Sequence, residues 1–114
     1  MLRASSEHSG ESYDLSLLLG AGEGDGGVPH GRLLVDLAEA ALGQDDARLN
    51  DLRGKVLNRL GPEALVDAAG VIGLFNAIDR VADATGIPLE AEKAKISADY
   101  RAELGLDAFA AARE

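Results

Sequence analysis

One stretch of the sequence constrains the fold more than any other: residues 61–88, GPEALVDAAGVIGLFNAIDRVADATGIP. Pro62 suits the first position of a helix, where its missing N–H is not needed, and Glu63 lies where the helix dipole favours an acid. Gly86 and Pro88 are residues that end helices. The sequence therefore predicts one long helix over residues 62–86.

Most of the surface of this helix is apolar. Its polar residues are mainly Asp67, Asn76, Asp79, Arg80 and Asp83. A helix that is apolar on more than one side must be covered on more than one side. Burying a Leu or Ile side chain is worth about 1.5 to 3 kcal/mol, so an uncovered flank would sacrifice several such contributions. We therefore expect a central buried helix, with part of its cover supplied by a second copy of the chain.

The composition favours helices throughout. The chain has 114 residues, with no Trp, two Phe and two Tyr, so its core must be built from Leu, Val, Ile and Ala. Such a core suits tightly packed helices better than strands. At this length we expect a single all-α domain over residues 1–114, with about five helices.

Two helices are predicted before the long one. Apolar residues recur every three to four positions from Pro29 onward, which predicts a helix that ends at Gly43. A second stripe follows the acidic link 44–46, with Asn50 as a candidate cap and Gly61 as its stop. Because the long helix begins at once, the two should meet in a tight corner.

The two ends of the chain carry weaker patterns. Residues 1–28 form an irregular N-terminal segment with helical character only near Leu15–Leu19, and the glycine-rich run 20–27 is expected to be a mobile linker. Beyond Pro88, apolar residues at helical intervals predict an amphipathic outer helix up to Leu104. A last piece, 107–113, has Asp107 as a candidate cap and Phe109 as an anchor.

Charge excludes several partners. Twenty acids against eleven Lys and Arg give a formal charge of −9, which repels nucleic acid and disfavours an anionic membrane surface. No segment is long and apolar enough to cross a bilayer, and the first residues do not resemble a secretory signal. A cytoplasmic protein is expected.

A family resemblance rests on the long helix. Its motif is Gly61, two residues, Ala-Leu-Val-Asp-Ala, and then Phe75-Asn76-Ala-Ile-Asp-Arg80-Val-Ala-Asp83. This pattern resembles the carboxymuconolactone decarboxylase and alkylhydroperoxidase D-like superfamily, over about residues 33–89. The resemblance implies an all-helical bundle that works as an oligomer.

The peroxidase branch of that superfamily uses two cysteines followed by a histidine. In this chain His8 best matches that histidine, and counting back puts the cysteine positions at Ala4 and Met1. The chain has no cysteine at all, which excludes thiolate chemistry, disulfides and zinc–thiolate sites. The resemblance thus implies His8 as a catalytic candidate without its redox partners, and otherwise His8 is a solvated polar residue. Neighbouring Ser5, Ser6 and Glu7 have no fixed geometry and are interpreted as polar surface.

The decarboxylase branch needs no cysteine and depends on acid–base help from His and Glu. His30 and Glu39 are the other candidates for such a role, but nine residues along one helix place them on different faces. His30 is therefore interpreted as a helix-start residue that faces water.

Two further site types are considered and set aside. Gly22, Gly24 and Gly27 satisfy the loose phosphate-loop pattern, but Glu23 and Asp25 place negative charge where a phosphate would lie. The carboxylates of the chain lack calcium-loop spacing and paired histidines. No cofactor and no metal are expected.

Three hypotheses for function follow. The first is a helical homo-oligomer, related to alkylhydroperoxidase D-like proteins, that associates through the 62–86 helix and has no peroxidase activity. The second is a cysteine-free enzyme that acts on a small lactone or acid, with His8 or His30 moving the proton. The third is a peroxidase-related protein whose cysteines lie in an upstream segment absent from this sequence.

Overall fold

A computed structural model describes residues 8–108 of the chain. Over this range the chain forms a short 3-10 helix, five α-helices and no strand. The predicted all-α class is thus confirmed, while membership of the alkylhydroperoxidase D-like fold stays a prediction. The helices belong to two compact units, residues 1–80 and 81–114, and each is described by itself.

The first unit begins with the 3-10 helix Leu15–Leu19. The Asp14 carboxylate accepts a hydrogen bond from the Ser16 backbone N–H at 2.9 Å and so caps this helix. Hydrogen bonding to Ser16 holds the pKa of Asp14 below its ordinary value. The predicted helical character near residues 15–19 is therefore present, in the tighter 3-10 form.

The glycine-rich run folds back on the 3-10 helix. The Gly26 carbonyl accepts from the Asp14 backbone N–H at 3.0 Å, and the segment covers Leu17, which is buried. A Cβ on Gly27, at φ 83°, would lie 2.5 Å from the Ser12 carbonyl oxygen, so only glycine fits there. These are the contacts of a folded loop, and the predicted mobility of this segment stays a prediction.

Helices α1, Gly31–Leu42, and α2, Asp46–Leu60, form a hairpin. The prediction of a helix ending at Gly43 is confirmed. The predicted cap of α2 is wrong: Asp45, not Asn50, accepts from the Arg48 backbone N–H at 2.9 Å. Asn50 lies inside the helix, where its Oδ1 accepts from Arg53 at 2.6 Å.

The core of this unit lies between the two helices of the hairpin. Val56 is completely buried, and the cluster around it comprises Leu33, Leu37, Ala40 and Leu52. Apolar residues at spacings of three and four place these side chains on facing stripes, as helix packing requires.

Helix α3, Pro62–Thr85, has 24 residues and follows α2 after the single residue Gly61. The long helix, its proline start and the tight corner are all confirmed. Its predicted burial is wrong for the single chain, because α3 has no buried residue. Only one stripe, with Leu65, Ala68 and Ile72, packs partly buried against the core.

The second unit begins within α3. At the end of that helix the backbone N–H groups of Gly86 and Ile87 both donate to the Ala82 carbonyl, with Gly86 at φ 64°, which is a Schellman-type stop. The prediction that Gly86 ends the helix is confirmed.

The predicted outer helix is divided into α4, Ala91–Ile96, and α5, Ala98–Glu103. Between them lies Ser97, which is buried and whose hydroxyl donates to the Lys93 carbonyl at 2.7 Å. A serine hydroxyl that bonds back to the preceding turn often bends a helix, and the break lies at this residue. Asp107 lies 3.3 Å from Arg101, and the predicted anchor Phe109 is outside the described residues.

Candidate functional site

The residues around the predicted catalytic His8 lie mostly outside the described range. This holds for Met1, Ala4, Ser5, Ser6 and Glu7, so the comparison with a cysteine motif is not tested. His8 itself is exposed at the edge of the described range. Its catalytic role stays a prediction.

Near this end of the chain, Tyr13 donates a short hydrogen bond to the Glu11 carboxylate. This bond, with smaller contributions from burial and from the negative charge of Glu11, raises the pKa of Tyr13. Glu11 is exposed, whereas Tyr13 is half-buried and lines a small apolar pocket with Leu17 and Val35.

The second candidate pair, His30 and Glu39, is not brought together. His30 occupies the N-cap position of α1 without a side-chain capping hydrogen bond, whereas the Glu39 carboxylate lies 3.2 Å from the Arg48 guanidinium on the hairpin surface. The expected separation on different faces is therefore present. The two groups form no acid–base pair.

A polar cleft does form beside His30. It has a volume of about 410 Å³ and lies between the glycine-rich loop, α1 and α2. Its lining residues are Gly24, Asp25, His30, Arg32, Leu33, Asp36, Leu52, Lys55 and Arg59. Sequence reasoning missed this cleft, because its charged residues come from distant parts of the chain and share no motif.

His30 has the only positive φ, 59°, of any non-glycine residue in the described part of the chain. Left-handed backbone is uncommon outside glycine, although histidine tolerates it better than most residues. Such conformations carry strain and cluster at functional sites. The loop hydrogen bonds around Asp25 and Gly31 hold this turn in place.

The cleft walls are held by hydrogen bonds and ion pairs. The Arg32 backbone N–H donates to the Asp25 carboxylate at 3.2 Å, and its guanidinium donates to the Gly22 carbonyl. Lys55 Nζ lies 2.7 Å from the Asp51 carboxylate one turn earlier. Gly22 thus presents a carbonyl oxygen to a cation, the opposite of the amide that a phosphate loop would offer.

Some of the polar groups that lie close together in the sequence make contacts within the chain. Asp45 caps α2, and the polar residues of α3 interact along the helix, where Arg80 Nε lies 3.4 Å from Asn76 Oδ1. Between residues 8 and 108 no group of three or more His, Asp or Glu side chains gathers in a metal-binding arrangement. No helix in that range is long and apolar enough to cross a membrane.

A second candidate surface lies on α3. We call it the α3 face, and it comprises Val66, Val71, Leu74, Phe75 and Ile78. Each of these side chains is exposed, from 49% for Phe75 to 70% for Val66. Leu74 lies nine residues, or two and a half turns, from Leu65, so it points away from the core.

Two exposed glycines lie on α3, and Gly73 also lines the cavity between α3 and the hairpin. Gly70 and Gly73 have open space where a Cβ would be, so nothing within the chain requires glycine at either position. Glycine inside a helix costs about 0.5 to 1 kcal/mol relative to alanine. Large exposed apolar patches mark surfaces that interact with another molecule.

Comparisons with protein-family models, with curated proteins and with solved structures find no match for this chain.

Proposed function

We propose that this protein is a helical homo-oligomer, related to alkylhydroperoxidase D-like proteins, that associates through the α3 face and has no peroxidase activity. The observation that carries the proposal is the exposure of the α3 face. Soluble monomers rarely expose contiguous apolar patches beyond a few hundred Å².

The α3 face consists of large apolar side chains. It has five of them, each about half exposed or more. A standard interface buries about 800 Å² per partner, of which just over half is apolar. A second copy that covers these five side chains would supply part of that apolar area.

The pattern of the α3 face favours a second copy of the chain as the occupant. Val71, Leu74 and Ile78 follow the spacing of coiled-coil core positions, with β-branched residues flanking Leu. Asp67 is the only charged residue between positions 66 and 78, so two copies can meet there with little like-charge repulsion. Symmetric dimers require such a self-complementary patch.

The loss of peroxidase activity rests on chemistry. The peroxidase branch that this chain resembles attacks a hydroperoxide with a cysteine thiolate, and this sequence contains no cysteine. A thiol-dependent peroxidase assay should therefore give no turnover above buffer. Turnover well above buffer would contradict this part of the proposal.

Association is tested by light scattering coupled to size exclusion over a range of protein concentrations. The wild type should be a dimer or larger, and Leu74→Asp should be a monomer, because a buried unpaired carboxylate opposes association. Leu18→Asp is the matched control, since Leu18 is 59% exposed and Leu74 is 58% exposed. A wild type that stays monomeric at every concentration, or a Leu18→Asp variant that dissociates as fully as Leu74→Asp, would overturn the proposal.

A further inference from the structure

The cleft beside His30 is independent of the α3 face. All of its lining residues come from the glycine-rich loop, α1 and α2, and α3 contributes none. Its volume of about 410 Å³ lies in the range of small-molecule sites, which is roughly 300 to 1,000 Å³. Its apolar wall includes Leu33 and Leu52, both buried members of the core.

The charge of the cleft is opposite to that of the chain. Three cations, Arg32, Lys55 and Arg59, outnumber the two acids Asp25 and Asp36, which gives +1 with neutral His30 against −9 for the whole sequence. Both acids are already engaged. Asp25 accepts from the Arg32 backbone N–H, and Asp36 lies 3.5 Å from the Arg48 guanidinium outside the cleft.

Distant acids do not cancel this local charge. At physiological ionic strength the Debye length is about 8 Å, so the field inside the cleft is set by the groups that line it and by their ion-pair partners. Two such partners, Asp51 beside Lys55 and Arg48 beside Asp36, have opposite charges that cancel each other in this sum. An anion in the cleft therefore meets mainly the nearby cations.

Arg59 is the cation most available to a ligand. Lys55 pairs with Asp51, and the Arg32 guanidinium donates to Gly22, whereas Arg59 has no hydrogen-bond or ion-pair partner among the residues that the structure describes. Its position in the last turn of α2 also complements the helix dipole. A favourable interaction with the helix dipole does not by itself explain why a cleft lies beside Arg59.

We propose that this cleft binds a small organic carboxylate, with Arg59 contacting the acid group and Leu33 and Leu52 contacting the apolar body. Arg is suited to this task because its planar guanidinium donates two parallel hydrogen bonds to a carboxylate. The left-handed backbone of His30 places its ring at the wall of the same cleft.

Benzoate is the probe, because it combines one carboxylate with an apolar ring. Benzoate is titrated into the full chain, and the backbone amide resonances are recorded by NMR. The resonances of Leu33, Leu52 and the first residues of α1 should shift in a saturable way. Arg59→Gln should weaken binding roughly tenfold, the loss expected when a charge-assisted pair is removed. Lys55→Gln should weaken it less, since Lys55 already pairs with Asp51.

Matched controls separate the site from general electrostatics. Arg53→Gln removes the same charge from the same helix outside the cleft, and it should leave benzoate affinity unchanged. Benzyl alcohol, which is neutral, should not saturate the cleft, and inorganic phosphate should bind more weakly than benzoate.

The proposal would be overturned by the absence of saturable benzoate shifts in the folded wild type, by equal binding of benzyl alcohol, or by tighter binding of phosphate. An Arg53→Gln variant that weakens binding as much as Arg59→Gln would also overturn it. The thermal midpoints of both variants, measured without benzoate, show whether each remains folded.

Discussion

The α1–α2 hairpin and α3 differ in how far their apolar side chains are buried. Helix α2 is rich in Arg, Lys, Asp and Asn, yet it contributes Val56, which is completely buried. Helix α3 is far more apolar and has no buried residue. Apolar content therefore does not decide burial here. The arrangement of the residues decides it.

The hairpin confines its apolar residues to one stripe on each helix, so two helices suffice to bury them. Helix α3 spreads its apolar residues around the whole circumference, and the hairpin covers only one side. What remains is the α3 face. The difference indicates that the hairpin buries its apolar side chains within one chain, whereas α3 needs an additional neighbour to bury its own.

The difference between the two regions is tested most directly by making the same Leu→Ala substitution in each of them. Leu37→Ala removes a side chain that is 4% exposed, and it should lower the free energy of unfolding by about 2 to 5 kcal/mol. Leu74→Ala removes one that is 58% exposed, so in the monomer its effect should stay within about 0.5 kcal/mol. Urea unfolding at protein concentrations too low for association measures both.

At high protein concentration the effect of Leu74→Ala on the free energy of unfolding should become larger. If α3 is covered by another copy, the wild type gains stability by mass action, and Leu74→Ala loses part of that gain. Equal unfolding free energies for wild type and Leu74→Ala at every concentration would show that the α3 face has no neighbour.

The two exposed glycines of α3 sharpen the same contrast. Gly70→Ala and Gly73→Ala meet open space within the chain, so each should stabilise the monomer by about 0.5 to 1 kcal/mol through better helix propensity. In the oligomer the added methyl groups should hinder close approach of a second helix and weaken association. Dilute unfolding and sedimentation equilibrium together measure the two opposite effects. Unchanged association in the double variant would mean that the partner helix does not approach this side.

The sequence predicted what depends on neighbours along the chain. Gly43, Gly61 and Gly86 mark the ends of the three main helices because they satisfy or interrupt local hydrogen bonding. Pro62 marks a helix start for the same reason. These signals act within a turn or two, so the printed sequence contains them in full.

The parts that sequence reasoning missed depend on tertiary structure. The burial of α3 follows from how far the hairpin extends over it, which periodicity does not encode. The cleft exists only because the hairpin brings Arg59 near His30, from opposite ends of two helices. The break at Ser97 is local. The sequence alone does not show whether a serine hydroxyl within a helical pattern will bond to the backbone, as that of Ser97 does.

The smallest expected change in unfolding free energy concerns the cap of α2. It tests how much a single hydrogen bond at the helix start contributes to the stability of the hairpin. Asp45 accepts from the Arg48 backbone N–H, so Asp45→Ala should cost about 1 kcal/mol of unfolding free energy. Asn50→Ala removes only an exposed contact with Arg53, and it should change the value by less than about 0.5 kcal/mol. Both are measured by urea unfolding beside Leu37→Ala. Because a cap supplies one hydrogen bond and the core side chain supplies many contacts, the Asp45 effect should be the smaller of the two. An Asn50→Ala variant that loses as much as Asp45→Ala would mean that α2 begins at the later residue, which would remove its first turn from the hairpin.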